Sequence, residues 1–375
     1  MVFFMENRIY PDNIVIRLFE EKDEKKQHPK QFVLKRCIGT GANCVAYMAE
    51  GEDGIPVKLK QFRPAGLKKD GEQYRQAERR FVQAYDQQRS MMKDERTAAV
   101  TAGLYGLYRD DTEFCWTSVS AMVGRTLETI LPDCSLQKNL DIIRKVAESI
   151  KAYHDAGWVL LDVKPENILV IDSLGLHGVN FFDFDSFVRL SEIQEAIRKG
   201  QTLMLSSSEA YSAPELLEHE VNLREIGITV DFYSVGALLF TALFSRPPEL
   251  YDCLPDSEYD YALVKGKEFL SSEIKTEISR FLHHTLSMSS EGRYSSDDEL
   301  LSALDRILEL SALSVPRLSK VLPHAVSTFC GREREIDMVS SAIRASTTPL
   351  YLSGGWWNWE NTACSESSRR IAGRI

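Results

Sequence analysis

Seven cysteines stand at positions 37, 44, 115, 134, 253, 330 and 364, and no two of them form a CxxC pair. An odd, scattered set without metal-ligand spacing argues against a disulfide framework or a zinc ribbon and fits reduced thiols in a cytoplasm. His283 and His284 are adjacent, so on a helix they point to different sides, and no further ligand cluster accompanies them. Long hydrophobic runs are also missing. The longest, Phe232 to Phe244, is too short to span a bilayer and reads as a buried helix, so no membrane association is expected. The opening MVFFMENR has neither the longer apolar region nor the small-residue cleavage site of a signal peptide. There is no basic excess, since the net charge is −10. That balance argues against general nucleic-acid binding, which needs a basic face for phosphates.

What is present is ordinary globular material: 375 residues, 43% hydrophobic and 27% charged, enough for a sizeable core. The stretch from His154 to Asp185 organises it. Asp162 and Asp183 each lie beside a hydrophobic run that pins them to a buried strand or loop. Lys164 and Asn167 follow Asp162 on one short loop, and Pro165 keeps that loop from continuing as helix. A carboxylate, a cation and an amide on a loop, followed by a strand bearing a second carboxylate, suit magnesium-bound phosphoryl chemistry.

Upstream, Phe32 to Glu50 reads as strand, tight turn and strand, with Gly39 and Gly41 at the turn. Without a Cβ, glycine backbone amides can approach phosphate oxygens. In PVKLKQF, alternation puts Val57 and Leu59 on one face and Lys58 and Lys60 on the other. A helix is expected over Glu72 to Met92, strands over Ala99 to Leu107 and Phe114 to Met122, and an amphipathic helix over Leu140 to Asp155 ended by Gly157. Thr126 is placed to cap a short helix after Gly124.

On these residues the chain resembles the eukaryotic-type serine/threonine protein kinases, in a bacterial style. The resemblance implies an α+β, bilobal fold with a small β-rich lobe over about 32–120 and a larger helical lobe over about 121–310. Residues 1–31 would form a strand extension and linker, and 311–375 a linker and tail. It implies ATP and Mg2+ as cofactors and a protein substrate. Gly39 and Gly41 would lie over the phosphates, and Lys60 would bind them. Glu78, with Glu72 as runner-up, would be the partner of Lys60 on the next helix. Backbone groups of Ser120 and Met122 would bind adenine. Asp162 would accept the proton of the substrate hydroxyl, Lys164 would steady the transferring phosphate, and Asn167 and Asp183 would hold magnesium. Glu215 of YSAPE, its partner Arg293, and Asp231 would be structural. YSAPE and Arg293 also disfavour a small-molecule phosphotransferase.

Four departures from the family pattern stand out. Cys44 takes the place of a third glycine, as a small inert residue or as a redox-sensitive thiol. Lys58 occupies the usual alanine position. Leu161 replaces an arginine that often binds an activation-loop phosphate, so activity is expected not to require that phosphate. Asp185 replaces the glycine of DFG, either capping the following turn or adding charge near the metal. Cys44, Leu161 and Asp185 favour a second reading, a pseudokinase acting as a nucleotide-binding or scaffold module. The presence of Lys60, Glu78, Asp162, Lys164, Asn167 and Asp183 favours an active enzyme.

Beyond Ser311 the stretch FCGREREIDMVSSAI resembles the entry segment of AAA-like signalling NTPases, which implies a fused or associated regulatory NTPase. The following GWWNWENTACSESSRR is no phosphate loop. Tryptophan has the single codon TGG, and a shifted frame through Gly355–Thr362 can encode a Walker A pattern. A frameshifted or truncated NTPase is therefore the expectation for the tail.

Overall fold

The computed structural model describes residues 9–20, 29–69, 71–110, 115–173, 176–203, 205–264 and 270–314. Most of the charged run after Glu20 and the tryptophan-rich tail lie outside them. Strands β1 (Val15–Glu20), β2 (Lys30–Thr40), β3 (Cys44–Gly51) and β4 (Pro56–Phe62) precede helix α1 (Glu72–Met91) and strands β5 (Leu104–Asp110) and β6 (Trp116–Ala121). All pair antiparallel in the order β1-β2-β3-β4-β6-β5, and β5 closes back on β1. The closed barrel has no free edge. Alternation decides its contents: Leu18, Leu34, Tyr47, Leu59 and Val119 fill the interior. Lys58 and Lys60 of β4 therefore face outward, toward α1 and the functional site.

Ala99 and Val100, expected as the start of a strand, belong to a single 3-10 turn (Ala98–Val100), and β5 begins at Leu104. The reason lies just upstream. Thr97 donates its hydroxyl to the Met91 carbonyl at 2.6 Å, and its amide goes to Asp94, so the chain leaving α1 keeps turning.

The remainder is mostly helical. It contains β7 (Arg125–Thr126), α2 (Leu127–Ile130), α3 (Leu136–Asp155), β8 (Trp158–Val159), β9 (Ile168–Ser173), β10 (Leu176–Phe181), β11 (Val188–Arg189), α4 (Leu190–Lys199), α5 (Thr229–Phe244), α6 (Ser272–Thr285) and α7 (Asp297–Ser314). Thr126 stands at the cap position of α2, but its hydroxyl makes no capping bond. Helix α3 starts a turn earlier than its apolar pattern indicates, because Ser135 caps it by accepting from the Lys138 amide. It ends at Gly157, whose φ of 82° suits glycine. The apolar run read as a buried helix is α5, with Phe232, Val235, Leu238 and Leu239 fully enclosed. Gly236 lets α5 approach α6 closely, since a Cβ there would strike the side chain of Thr285. Two small antiparallel sheets, β10-β9-β7 and β11-β8, frame the loops between these helices. The α+β composition matches the expectation from sequence.

Two buried ionic clusters tie the helical part together. Arg293 binds Glu215 through two parallel bonds of 2.6 and 2.8 Å and also donates to the Thr229 carbonyl at 3.2 Å. His154, at the end of α3, lies between Asp231 of α5 at 2.9 Å and Asp297 of α7 at 2.8 Å. Burial alone would lower the His154 pKa, but the hydrogen bonds and charges of the two carboxylates outweigh it and raise it from 6.5 to about 9.

A raised folded-state pKa gives stabilisation that is complete below pH 6.5 and is lost as pH rises through about 9. The expected contribution is about 3 kcal/mol. Urea denaturation between these limits should show wild-type stability falling with pH and His154→Gln removing most of that slope. A wild-type profile that stays flat over the same range contradicts the clamp.

Candidate active site

The loop after β8 is shaped by one buried carboxylate. Asp231 accepts from the amides of Leu160 and Leu161, both at 2.8 Å. Leu161 has a φ of 68°, unfavourable for a leucine. The Asp162 amide closes a tight turn on the Leu160 carbonyl at 2.9 Å. The strain is offset because Asp231 takes the Leu161 amide and the Ser212 hydroxyl donates to the Leu161 carbonyl at 3.3 Å. The Leu161 side chain is fully buried in the helical core.

That turn aims Asp162 outward with its two oxygens in different situations. Oδ2 accepts from Lys164 Nζ at 2.7 Å, whereas Oδ1 is buried with no hydrogen-bond partner among the described residues. Lys164 also donates to the hydroxyl of Ser208 at 2.7 Å. Asn167 turns its amide nitrogen to the Asp162 carbonyl at 3.2 Å, which leaves Oδ1, the atom a hard cation takes, directed elsewhere. The structure therefore brings Asp162, Lys164 and Asn167 together as expected. Ser208 was missed by sequence reasoning, because one serine in the run SSSEAYS carries no pattern of its own.

Asp183 follows β10 with a φ of 83°. Lys60 Nζ lies 2.5 Å from Asp183 Oδ1 and 2.5 Å from Asp185 Oδ2. Lys58 Nζ is 3.4 Å from Asp183 Oδ2 and 4.3 Å from the centre of the Phe182 ring. Burial would raise the Asp183 pKa, but the two ammonium groups hold it well below the carboxylate range. Burial likewise opposes charge on Lys60, and Asp183 and Asp185 reverse that and raise it. For Lys58, with one longer contact, burial wins and its pKa is lowered.

Glu78 is not brought to Lys60. The residues of α1 that line this site are Phe81, Ala84, Tyr85 and Gln88, and Lys60 forms its ion pairs with Asp183 and Asp185. The runner-up Glu72 is exposed and pairs with Arg75 and Arg79 on its own helix. The helix amphipathicity that identified α1 could not fix which turn faces the lysine. Nor does Asp185 cap the turn after it: its carboxylate is an ion-pair partner.

Gly39 and Gly41 lie at the β2–β3 hairpin, with Gly39 opposite Ala46 and the Gly41 amide bonded to the Cys44 carbonyl at 2.9 Å. The side chain of Ser120 reaches the site beside Ser118, which sequence reasoning did not single out. The backbone of Ser120 runs inside the sheet, with Lys58 opposite on one side and Leu104 on the other. Met122 sends its amide to Pro56 O at 3.4 Å. The Ser120 backbone and the Met122 amide thus take part in pairing with the strands around β6.

Among the described residues no group of three histidine, cysteine or acidic side chains gathers as a metal cage. The donor chemistry that is present, the ionised Asp183 and the amide oxygen of Asn167, fits magnesium, which takes one or two protein oxygens and completes its shell with phosphate and water.

The model of the family described as "Protein kinase domain" matches residues 32–304. Calcium/calmodulin-dependent protein kinase type 1 of Caenorhabditis elegans is 28% identical over 200 residues, 51% of this chain and 53% of the relative. Aurora kinase A-A of Xenopus laevis is 24% identical over 277 residues, 71% of this chain and 60% of the relative. A probable myosin light chain kinase of Dictyostelium discoideum is 31% identical over 125 residues, 33% of this chain and 23% of the relative. In each case the match spans less than two thirds of the relative's own length.

Cys44 packs beside Phe62 and Phe81 at the rim of the site, and burial pushes its thiol up to about 12. It therefore stays protonated at neutral pH, the inert one of its two readings. Iodoacetamide at pH 7.5 should modify Cys44 in the native chain about 10³-fold more slowly than an exposed thiol. Mass-spectrometric labelling at the rate of an unfolded control would contradict this.

Proposed function

The chain belongs to the protein kinase family, and we propose that it is an ATP-dependent serine/threonine kinase that transfers the γ-phosphoryl group to a hydroxyl of a protein substrate. The observation that carries this reading is the divided state of Asp162. Lys164 holds one oxygen, and the other has no partner among the described residues, so it would accept a hydrogen bond and then the proton from an incoming hydroxyl. Lys164, also bonded to Ser208, sits where it can follow the charge of the phosphoryl group in flight. Lys60 would bind phosphate oxygens from β4, and Gly39 and Gly41 would cover them. Asp183 and Asn167 would hold magnesium, which supplies neutralisation of the phosphate charge when bound.

The proposal extends to the organisation of the chain. The barrel and the helical part would act as two lobes of a kinase domain over about 32–310. Transfer would not wait for a phosphate on the segment between Asp183 and Glu215. That segment is organised by other means: β11 pairs with β8, and α4 buries Ile193 and Ala196. The Ser208 amide donates to Ser212 Oγ at 2.9 Å, which in turn donates to the loop at Leu161. A cytoplasmic setting and regulation by an NTPase encoded in a shifted frame beyond residue 311 complete the proposal. The tail beyond Ser314, where α7 ends, lies outside the described residues, and translation of the gene in the alternative frame decides that part.

Purified protein incubated with γ-labelled ATP and magnesium should transfer label to itself or to a generic serine/threonine substrate. Asp162→Ala and Asp183→Ala should each reduce transfer by at least about 10²-fold. Incorporation by wild type no greater than by these two variants would favour the scaffold reading instead.

A further inference from the structure

Two departures from the family pattern lie 127 positions apart in sequence and meet at one point. Lys58 and Lys60 alternate on β4 and so share a face. Asp183 and Asp185 likewise project to one side, because Phe184 between them turns into the core and is 2% exposed. The result is a cluster of two ammonium groups and two carboxylates: Lys58 on Asp183, and Lys60 on both Asp183 and Asp185. Formal charge in the cluster sums to zero. A buried ammonium such as Lys60, whose side chain is 15% exposed, needs such a partner to remain charged.

From this geometry, and resting on the kinase reading above, we infer that Asp185 is the positioning residue for Lys60, in place of a glutamate on α1. Asp183 is the oxygen donor assigned to magnesium, so a lysine anchored by Asp183 alone would compete with the metal for one carboxylate. Asp185 gives Lys60 an anchor of its own. The α1 surface at the site is apolar, phenolic or amide-bearing, with Phe81, Ala84, Tyr85 and Gln88, and offers no carboxylate for the task. Lys58 balances the charge that Asp185 adds, which explains why both unusual residues occur in the same chain.

The test combines kinetics with a readout that needs no nucleotide. Asp185→Asn should lower kcat by about 10²-fold, the scale of a misplaced phosphate-binding group, while thermal melting stays near wild type because Asp185 lies at the exposed end of the cluster. Asp185→Glu, which keeps the charge, should recover most of the loss. In the unliganded protein, competitive acetylation read by mass spectrometry should show Lys60 becoming several-fold more reactive in Asp185→Asn than in wild type. Unchanged Lys60 reactivity and kcat in Asp185→Asn, with both effects appearing in Glu78→Gln, would overturn the inference. If Lys60 reactivity rises as expected in a chain whose wild type transfers no phosphate, the pairing stands and the kinase reading fails.

Discussion

The carboxylate of Asp231 is the constraint on which the site depends. It is fully buried, and an unpaired charge in that position would cost several kcal/mol. Two successive amides of the loop, at Leu160 and Leu161, and the ring of His154 satisfy it. The loop can adopt a left-handed residue at Leu161 because its amide gains a charged acceptor in exchange. Asp162 follows from that turn, and Lys164 and Asn167 follow from Asp162. Helix α5 is thus both the centre of the apolar core and the support for the loop above it, which couples packing directly to the placement of Asp162, the proposed proton acceptor.

Around this support the residues proposed to perform chemistry and those at the positions that commonly govern it have diverged. Asp162, Lys164 and Asn167 gather on one loop, Lys60 meets Asp183, and the Phe182 amide ties the two by donating to the Asn167 carbonyl at 3.1 Å. Leu161 has joined the core, where no phosphate can reach it. Asp185 has become an ion-pair partner, and Lys58 has entered the same cluster. The segment after Asp185 is held by a short sheet, the apolar face of α4 and serine hydroxyls, interactions that form without covalent modification.

Most of the barrel and of the catalytic loop was legible in the sequence. Strict alternation in β4 fixed which lysines face the site, and DxKPEN between two apolar runs fixed a loop of defined chemistry. The failures have physical causes. The pairing of Lys60 depends on how α1 is rotated and how far it slides along β4, and a period of 3.6 residues does not encode either quantity. Helix α4 was not singled out although Leu190, Ile193 and Ile197 recur at helical spacing and Gly200 ends it with a φ of 61°, a usable stop signal. Ser208 reaches Lys164 across 44 positions, a contact set by tertiary folding that no local motif announces.

The central claim is that the geometry of this site is fixed by buried contacts and not by phosphorylation of the segment 191–208. It is tested most directly by measuring kcat before and after complete removal of phosphate with a phosphatase, verified by intact-mass spectrometry. The dephosphorylated chain should keep its kcat within about twofold, since no arginine stands at Leu161 to read a phosphate. Loss of activity on dephosphorylation, restored when a residue of that segment is phosphorylated again, would contradict it.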